Sequence, residues 1–194
     1  MADFYKNIDK VSAERLRHYL AGKGNAVSGI TYTLETDLAE EPVDLEFFRE
    51  HCRVDFNTDD ELLAKYLKAA RESLERYAQL SFGERTVRLD AVKLTDDWRV
   101  MYGPVVEVLT DHTLFGQHII RNSGGRYVTI RYKTGWPMGE VPEDIKVAIC
   151  RYGAGLYAMR EHLVLTIDGK VYEPRRMYDE AEKMINKWAN PRFI

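Results

Sequence analysis

Leu63, Tyr66, Leu67, Ala70, Leu74 and Tyr77 recur at three- and four-residue steps, and from residue 85 onward the apolar period drops to two. The first spacing lays one stripe along a helix. The second puts alternate side chains on one face of a strand. A chain that changes period in this way has to pack a helical layer against a sheet. Thr58 and Glu61 stand before the stripe with capping-box spacing, so the Thr58 hydroxyl is expected to take the Glu61 amide. Lys65, Lys68, Arg71, Glu72, Glu75 and Arg76 fall mostly on the other faces, where mixed charge reads as a solvated, salt-bridged surface.

The alternating segments are "RTVRLDAV" (85–92), "GPVVEVLT" (103–110), and "QHIIR" and "RYVTIRY" on either side of "NSGG" (122–125). The last pair carries a hairpin signal. Residues 85–133 are therefore expected to form one small antiparallel sheet of four or five strands. Pro142, Glu143 and Asp144 open the next helix, with the proline at its first position and the acids near the positive end of the dipole. Its apolar face is Ile145, Ala148, Ile149, Tyr152, Leu156 and Met159. A second hairpin spans 163–173 around Asp168-Gly169, and Pro174 opens a last helix striped by Met177, Ala181, Met184, Ile185 and Trp188.

Upstream, Val11, Leu16, Tyr19 and Leu20 mark a helix over 10–21, "GITYTLET" (29–36) a strand, and "DLAEEP" (37–42) an acidic linker. Asp44 is an N-cap candidate for a short helix ending near residue 52. The fold class is α+β: a helical core of three main helices (near 44–52, 59–79 and 142–161), with a small antiparallel β-region inserted between the second and third. The expected organisation is an N-terminal appendage over 1–42, a core domain over 43–162, and a hairpin, C-terminal helix and arm over 163–194.

Composition and motifs exclude more than they identify. The net charge of -3 and pI near 6.0 give no bulk attraction to nucleic acid. Cys52 and Cys150 read as free thiols in a reducing compartment. "MADFYKNIDK" has no secretory h-region, and no apolar run approaches the ~18 residues of a membrane span. The five histidines show neither H-x₃-H nor HExxH spacing, and the acidic stretch 55–61 lacks the glycine of a calcium loop. No nucleophile motif occurs, no carboxylate stands in an apolar frame that would shift its pKa, and no cofactor is expected.

"GAGLYA" (153–158) has the letters of a dinucleotide fingerprint, but the glycines fall about three turns inside a helix, where the N–H groups are already used. Gly153 and Gly155 are instead expected at a close-packed contact with a helix of the same subunit or of a neighbouring one. Two other classes fit the same sequence: a small α+β enzyme or ligand-binding module with a dispersed site, and a DNA-binding module using the basic face of 61–78.

Three stretches together carry a resemblance. "LEFFREHCRVDFNTDDELLAKYLKAARESLERYAQLSF" (45–82) sets a short helix, an Arg-x-Asp break, an acidic cap and a long helix in order. "YGPVVEVLTD" (102–111) starts a strand through Gly-Pro-Val, and "IRYKTGWPMGEVPEDIKVAICRYGAGLYAMRE" (130–161) holds a Tyr-x-x-Gly corner before "VPEDIKVAI". In order and spacing, residues 44–160 resemble the head–tail connector (adaptor) proteins of tailed bacteriophages. The resemblance implies a non-enzymatic virion protein of the neck, below the portal vertex, assembled in the host cytoplasm. It implies a homo-oligomeric ring, usually twelvefold, that extends the DNA channel without sequence-specific binding. The implied partners are the portal protein and a stopper or tail-completion protein, with no membrane. By analogy, 185–194 is the portal-contacting arm, with Trp188, Pro191, Arg192, Phe193 and Ile194 as its candidate contacts. The 1–42 appendage departs from the short N-terminus of the family.

Overall fold

A computed structural model of the chain describes residues 29–92, 94, 97–121, 127–159, 165–167, 170–172 and 174–189. The helix expected over 10–21 lies outside them. Two apolar cores form, one for each period of the sequence. The helical core gathers α1 (Leu45–Cys52), α2 (Asp60–Ala78), α3 (Glu143–Ala158) and α4 (Pro174–Ile185) around Phe48, Leu63, Leu67, Leu74, Ile145, Ile149 and Ile185. Asp44 caps α1 as its side chain predicts, accepting the Phe47 amide at 2.7 Å. Arg53 then ends α1 in the left-handed region at φ 56°.

The start of α2 differs from expectation. Its first residue is Asp60, its N-cap is Asp59, and no side chain caps it, so the Thr58–Glu61 box is not made. Tertiary partners take the acids instead. The Asp59 carboxylate accepts the Tyr157 hydroxyl of α3 at 2.6 Å, and Asp60 lies 3.5 Å from Arg49 of α1. The helix that follows Val141 begins at Glu143, with Pro142 extended at ψ 137° just outside it rather than at its first position.

The β-core is built from two sheets, not one. Strands β1 (Ile30–Leu34), β2 (Arg85–Ala91), β7 (Val128–Thr134) and β4 (Val105–Val108) form an antiparallel sheet in the order β1-β2-β7-β4. Strands β3 (Asp97–Arg99), β6 (Ile119–Arg121) and β5 (Thr113–Phe115) form a second. Val87, Leu89, Ile120, Ile130 and Tyr132 close the space between them. Residues 122–126 lie outside the described ones, and the strands that flank them, β6 and β7, do not pair with each other. β6 lies between β3 and β5, and both sides of β7 are taken by β2 and β4. A local turn signal could not see that both strands are central. The later hairpin does form: β8 (Leu165–Ile167) pairs with β9 (Lys170–Tyr172), with Ile167 opposite Lys170.

The strand placed in the 1–42 appendage is part of this β-core. β1 pairs with β2 over its whole length, from Ile30 opposite Ala91 to Leu34 opposite Val87. The Tyr32 hydroxyl reaches further inward, accepting Trp98 Nε1 at 3.0 Å and the Met101 amide at 3.4 Å.

Candidate assembly interface

The two cores meet at a buried cluster of charges. Glu75 of α2 is 3% exposed and Arg71, one turn before it, 1%. Glu75 Oε2 accepts Arg71 Nη1 at 2.7 Å, and its Oε1 accepts both Arg85 Nη2 of β2 at 2.8 Å and the Phe82 amide at 2.7 Å. Arg71 turns its other two nitrogens, Nε and Nη2, to Glu41, at 2.7 and 3.1 Å. Burial pushes the Glu75 carboxyl up, and Arg85, Arg71 and the Phe82 amide pull it back. This overturns two expectations. Arg71 and Glu75 do not belong to a solvated face, and a carboxylate in an apolar frame does exist. The spacing Arg71…Glu75 is that of an ordinary surface pair. One partner of Arg71, Glu41, lies thirty positions upstream, in the segment 35–44.

That segment, of which 37–42 reads as a linker, is a strap fastened along its length. Glu35 receives Arg131 Nε and Nη2 at 2.9 and 2.7 Å, and Thr36 Oγ1 accepts the Thr86 amide at 2.8 Å. Leu38 packs over Gly83, where a Cβ would lie 2.8 Å from its Cδ2. Val43 is buried in the helical core. The strap thus ties the edge of the sheet to the long helix.

The outer face of the four-stranded sheet is polar and exposed. Register aligns Thr33, Arg88 and Arg131 across three strands, Thr31, Asp90 and Thr129 beside them, and Thr86, Lys133 and Glu107 in a third row. Each cation of these rows has a carboxylate: Arg88 pairs with Asp90 at 2.8 Å, Arg131 with Glu35 at 2.7 Å, and Lys133 with Glu107 at 2.7 Å. The Thr129 hydroxyl, with Arg88 behind it, holds the Asp90 carboxyl below the usual carboxylate range. Such a face is well hydrated and offers little unmatched positive charge to a phosphate backbone.

The basic face expected on 61–78 is smaller than its sequence implies. Arg71 is committed to the buried cluster, and Lys68 pairs with Asp37 of the strap at 3.5 Å. Among the described residues no group of His, Cys, Asp or Glu could hold a metal ion. Burial raises the Cys52 thiol to about 11 and the Cys150 thiol to about 12. The described residues include no helix long and apolar enough to cross a membrane.

Gly153 and Gly155 face two different neighbours within the subunit. A Cβ on Gly153 would lie 2.8 Å from Cζ of Phe48 in α1, and one on Gly155 would lie 2.9 Å from Cε1 of Tyr178 in α4. The Tyr178 ring also stacks at 4.5 Å from Tyr152. Of the candidate arm residues, Trp188 is 36% exposed and meets Trp136 edge-to-face, with centroids 6.1 Å apart. Pro191, Arg192, Phe193 and Ile194 lie outside the described residues.

Residues 42–105 match the model of the family described as "Phage gp6-like head-tail connector protein". No curated protein matches the chain. Among solved structures, the chain is similar to one described as "Neck of empty GTA particle computed with C6 symmetry": TM-score 0.59, 16% identity, covering 78% of this chain and 94% of that one. A second is described as "Virion of native gene transfer agent (GTA) particle", with TM-score 0.58, 18% identity, and coverage of 77% and 94%. A third, "Neck of native GTA particle computed with C12 symmetry", gives TM-score 0.56, 17% identity, and coverage of 78% and 94%. At these identities the likeness is one of fold, and it spans both cores. The resemblance read from three stretches of sequence is thereby borne out: residues 42–105 match the model of the phage head-tail connector family.

Proposed function

We propose that the chain is a structural protein of the virion neck that assembles as a closed ring between portal and tail. The observation that carries this is the connector-family match over 42–105, set in a fold shared with neck proteins. The C6 and C12 symmetries named for those necks favour a ring, and twelve copies is the number proposed for this chain. A closed ring needs a head-to-tail interface made of two different patches on each subunit. DNA passes through the lumen without sequence-specific contact, and the charge-matched outer sheet face suits a wall that must not grip a polyanion. The upper partner is the portal, reached by the segment around Trp188 and residues 190–194. The lower one is a stopper or tail-completion protein. In this reading the work done is structural rather than catalytic. The DNA-binding alternative is weakened because Arg71 and Lys68 already have carboxylate partners.

Purified protein mixed with cognate portal rings and imaged by negative stain tests the proposal. A ring capping the portal is the expected result. No portal association, with or without packaged DNA, overturns it.

A further inference from the structure

The turn between β5 and β6 grips both ends of the segment 100–105. The Val105 amide donates to the Gln117 carbonyl at 2.7 Å, and the Val100 amide to the His118 carbonyl at 2.9 Å. Between those two bonds the His118 ring lies on the backbone of Gly103, where any Cβ would overlap its Nδ1 and Cε1. Gly103 is also the residue that joins this segment to the loop after α2. Its amide donates to the Gln79 carbonyl at 3.2 Å, and its carbonyl accepts the Ser81 amide at 2.8 Å. The imidazole thus sits where the three-stranded sheet, the start of β4 and the helical layer come together.

That position suits a neutral ring. His118 is half-buried, and its Nδ1 is buried with no hydrogen-bond partner. A neutral imidazole can leave Nδ1 as the bare acceptor, but an imidazolium carries a proton on both nitrogens. Nδ1–H would then be a charged donor, buried and facing no acceptor, which is the costly case. The segments that meet here bring Arg99 from β3, Tyr102, Gln79 and Ser81, and from β7 Thr134, whose hydroxyl donates to the Pro104 carbonyl at 2.8 Å. Of these, Arg99 is charged near neutral pH and repels an imidazolium. Among the described residues no carboxylate acts on the ring. Burial first, and Arg99 second, hold His118 below its ordinary 6.5.

We infer that His118 is an acid-released wedge: neutral, its ring locks the β5–β6 turn onto Gly103; protonated, it leaves, and the three-stranded sheet loosens from the junction. The release is local, because the charge cluster and the strap tie α2 to β2 and β7 without passing through this turn. The unfolded chain takes up the proton near pH 6.5, before the folded one does. The contribution of the wedge is therefore complete above that pH and declines as the pH falls below it. The inference goes beyond the neck reading and does not depend on it.

Hydrogen exchange of the full chain from about pH 7.5 to about pH 5.5, corrected for the intrinsic pH dependence of exchange, tests the wedge. The Val100 and Val105 amides are expected to lose protection about tenfold per pH unit below 6.5 until the folded-state titration is passed. Amides inside β2 and β7 should hold theirs. His118→Gln and His118→Phe cannot be protonated and should show no such loss. Equal loss in the parent and in both variants overturns the wedge, as does a parent that keeps Val100 and Val105 protected at about pH 5.5. Loss shared equally by β2 and β7 overturns the local release. A reading on the parent alone covers variants that fail to fold. The NMR titration of the His118 ring and the loss of protection should follow one pH curve, and two separate curves reject the link.

Discussion

The junction of the two cores and the outer face of the sheet are made of the same residue types. Each pairs arginines with carboxylates at hydrogen-bonding distance. At the junction, Arg71, Glu75 and Arg85 are at most 5% exposed, and every oxygen of Glu75 is occupied. On the sheet, Arg88, Arg131 and Lys133 stand in solvent, each with one carboxylate. Identical chemistry then has opposite consequences. Breaking a buried pair strands an uncompensated charge where water cannot reach it, whereas breaking an exposed pair leaves two hydrated ions. The junction holds the fold together; the sheet face sets what the surface attracts.

The largest effect should come from attacking the junction. Glu75→Gln leaves Arg71 and Arg85 without their shared anion and is expected to cost about 3–5 kcal/mol, read from urea or thermal unfolding. A loss no greater than that of an exposed pair would erase the contrast. Next come the glycines of α3. Gly153→Leu drives a side chain into the fully buried Phe48 ring, with an expected loss of about 1–3 kcal/mol in the same unfolding measurement. Gly155→Leu meets Tyr178 at the edge of the core and should lose less.

The buried tyrosine of β1 gives a smaller, pH-dependent effect. Burial, opposed by the Trp98 hydrogen bond, raises Tyr32 from 10.0 to about 12. The unfolded chain ionises this phenol first, so its contribution is complete below pH 10 and is lost as pH rises toward 12. Stability measured through that window should fall, and fall less steeply in Tyr32→Phe. The least effect on stability is expected from the sheet face. Glu35→Gln, Asp90→Asn and Glu107→Gln together should hardly move the thermal midpoint. The same triple variant should nevertheless acquire DNA binding that weakens steeply with salt, because three cations lose their partners. Gel shifts at several salt concentrations decide this.

The same contrast explains what the sequence made legible. Helix positions and the apolar stripe of α2 followed from a 3.6-residue period, because that period is imposed locally. The inner faces of β2 and β7 followed from alternation for the same reason. Arg71 was misplaced because an i,i+4 ion pair looks the same in solvent and beneath a strap, and Glu41 is distant in sequence. The hairpin signal at 122–125 does not say which sheet each flanking strand joins, and β6 and β7 join different ones. The capping box failed because the helix starts one residue late, with Asp59 rather than Thr58 at the N-cap. Gly153 and Gly155 lie inside α3, where a helical interior leaves no free amides for a ligand. Which neighbours they meet required the fold. Pro191, Arg192, Phe193 and Ile194 rest on the resemblance alone.

The strap has a bearing on how the chain can be cut. The family match begins at residue 42 and stops at 105. A fragment trimmed to those bounds would begin one residue after Glu41 and leave Arg71 buried without it. It would also contain β2 with neither of its neighbours, because β1 lies before the fragment and β7 after it. The most recognisable third of the molecule is therefore not a module that stands alone. Any useful excision has to reach back through the strap to β1 and forward past β7 before it encloses the whole four-stranded sheet.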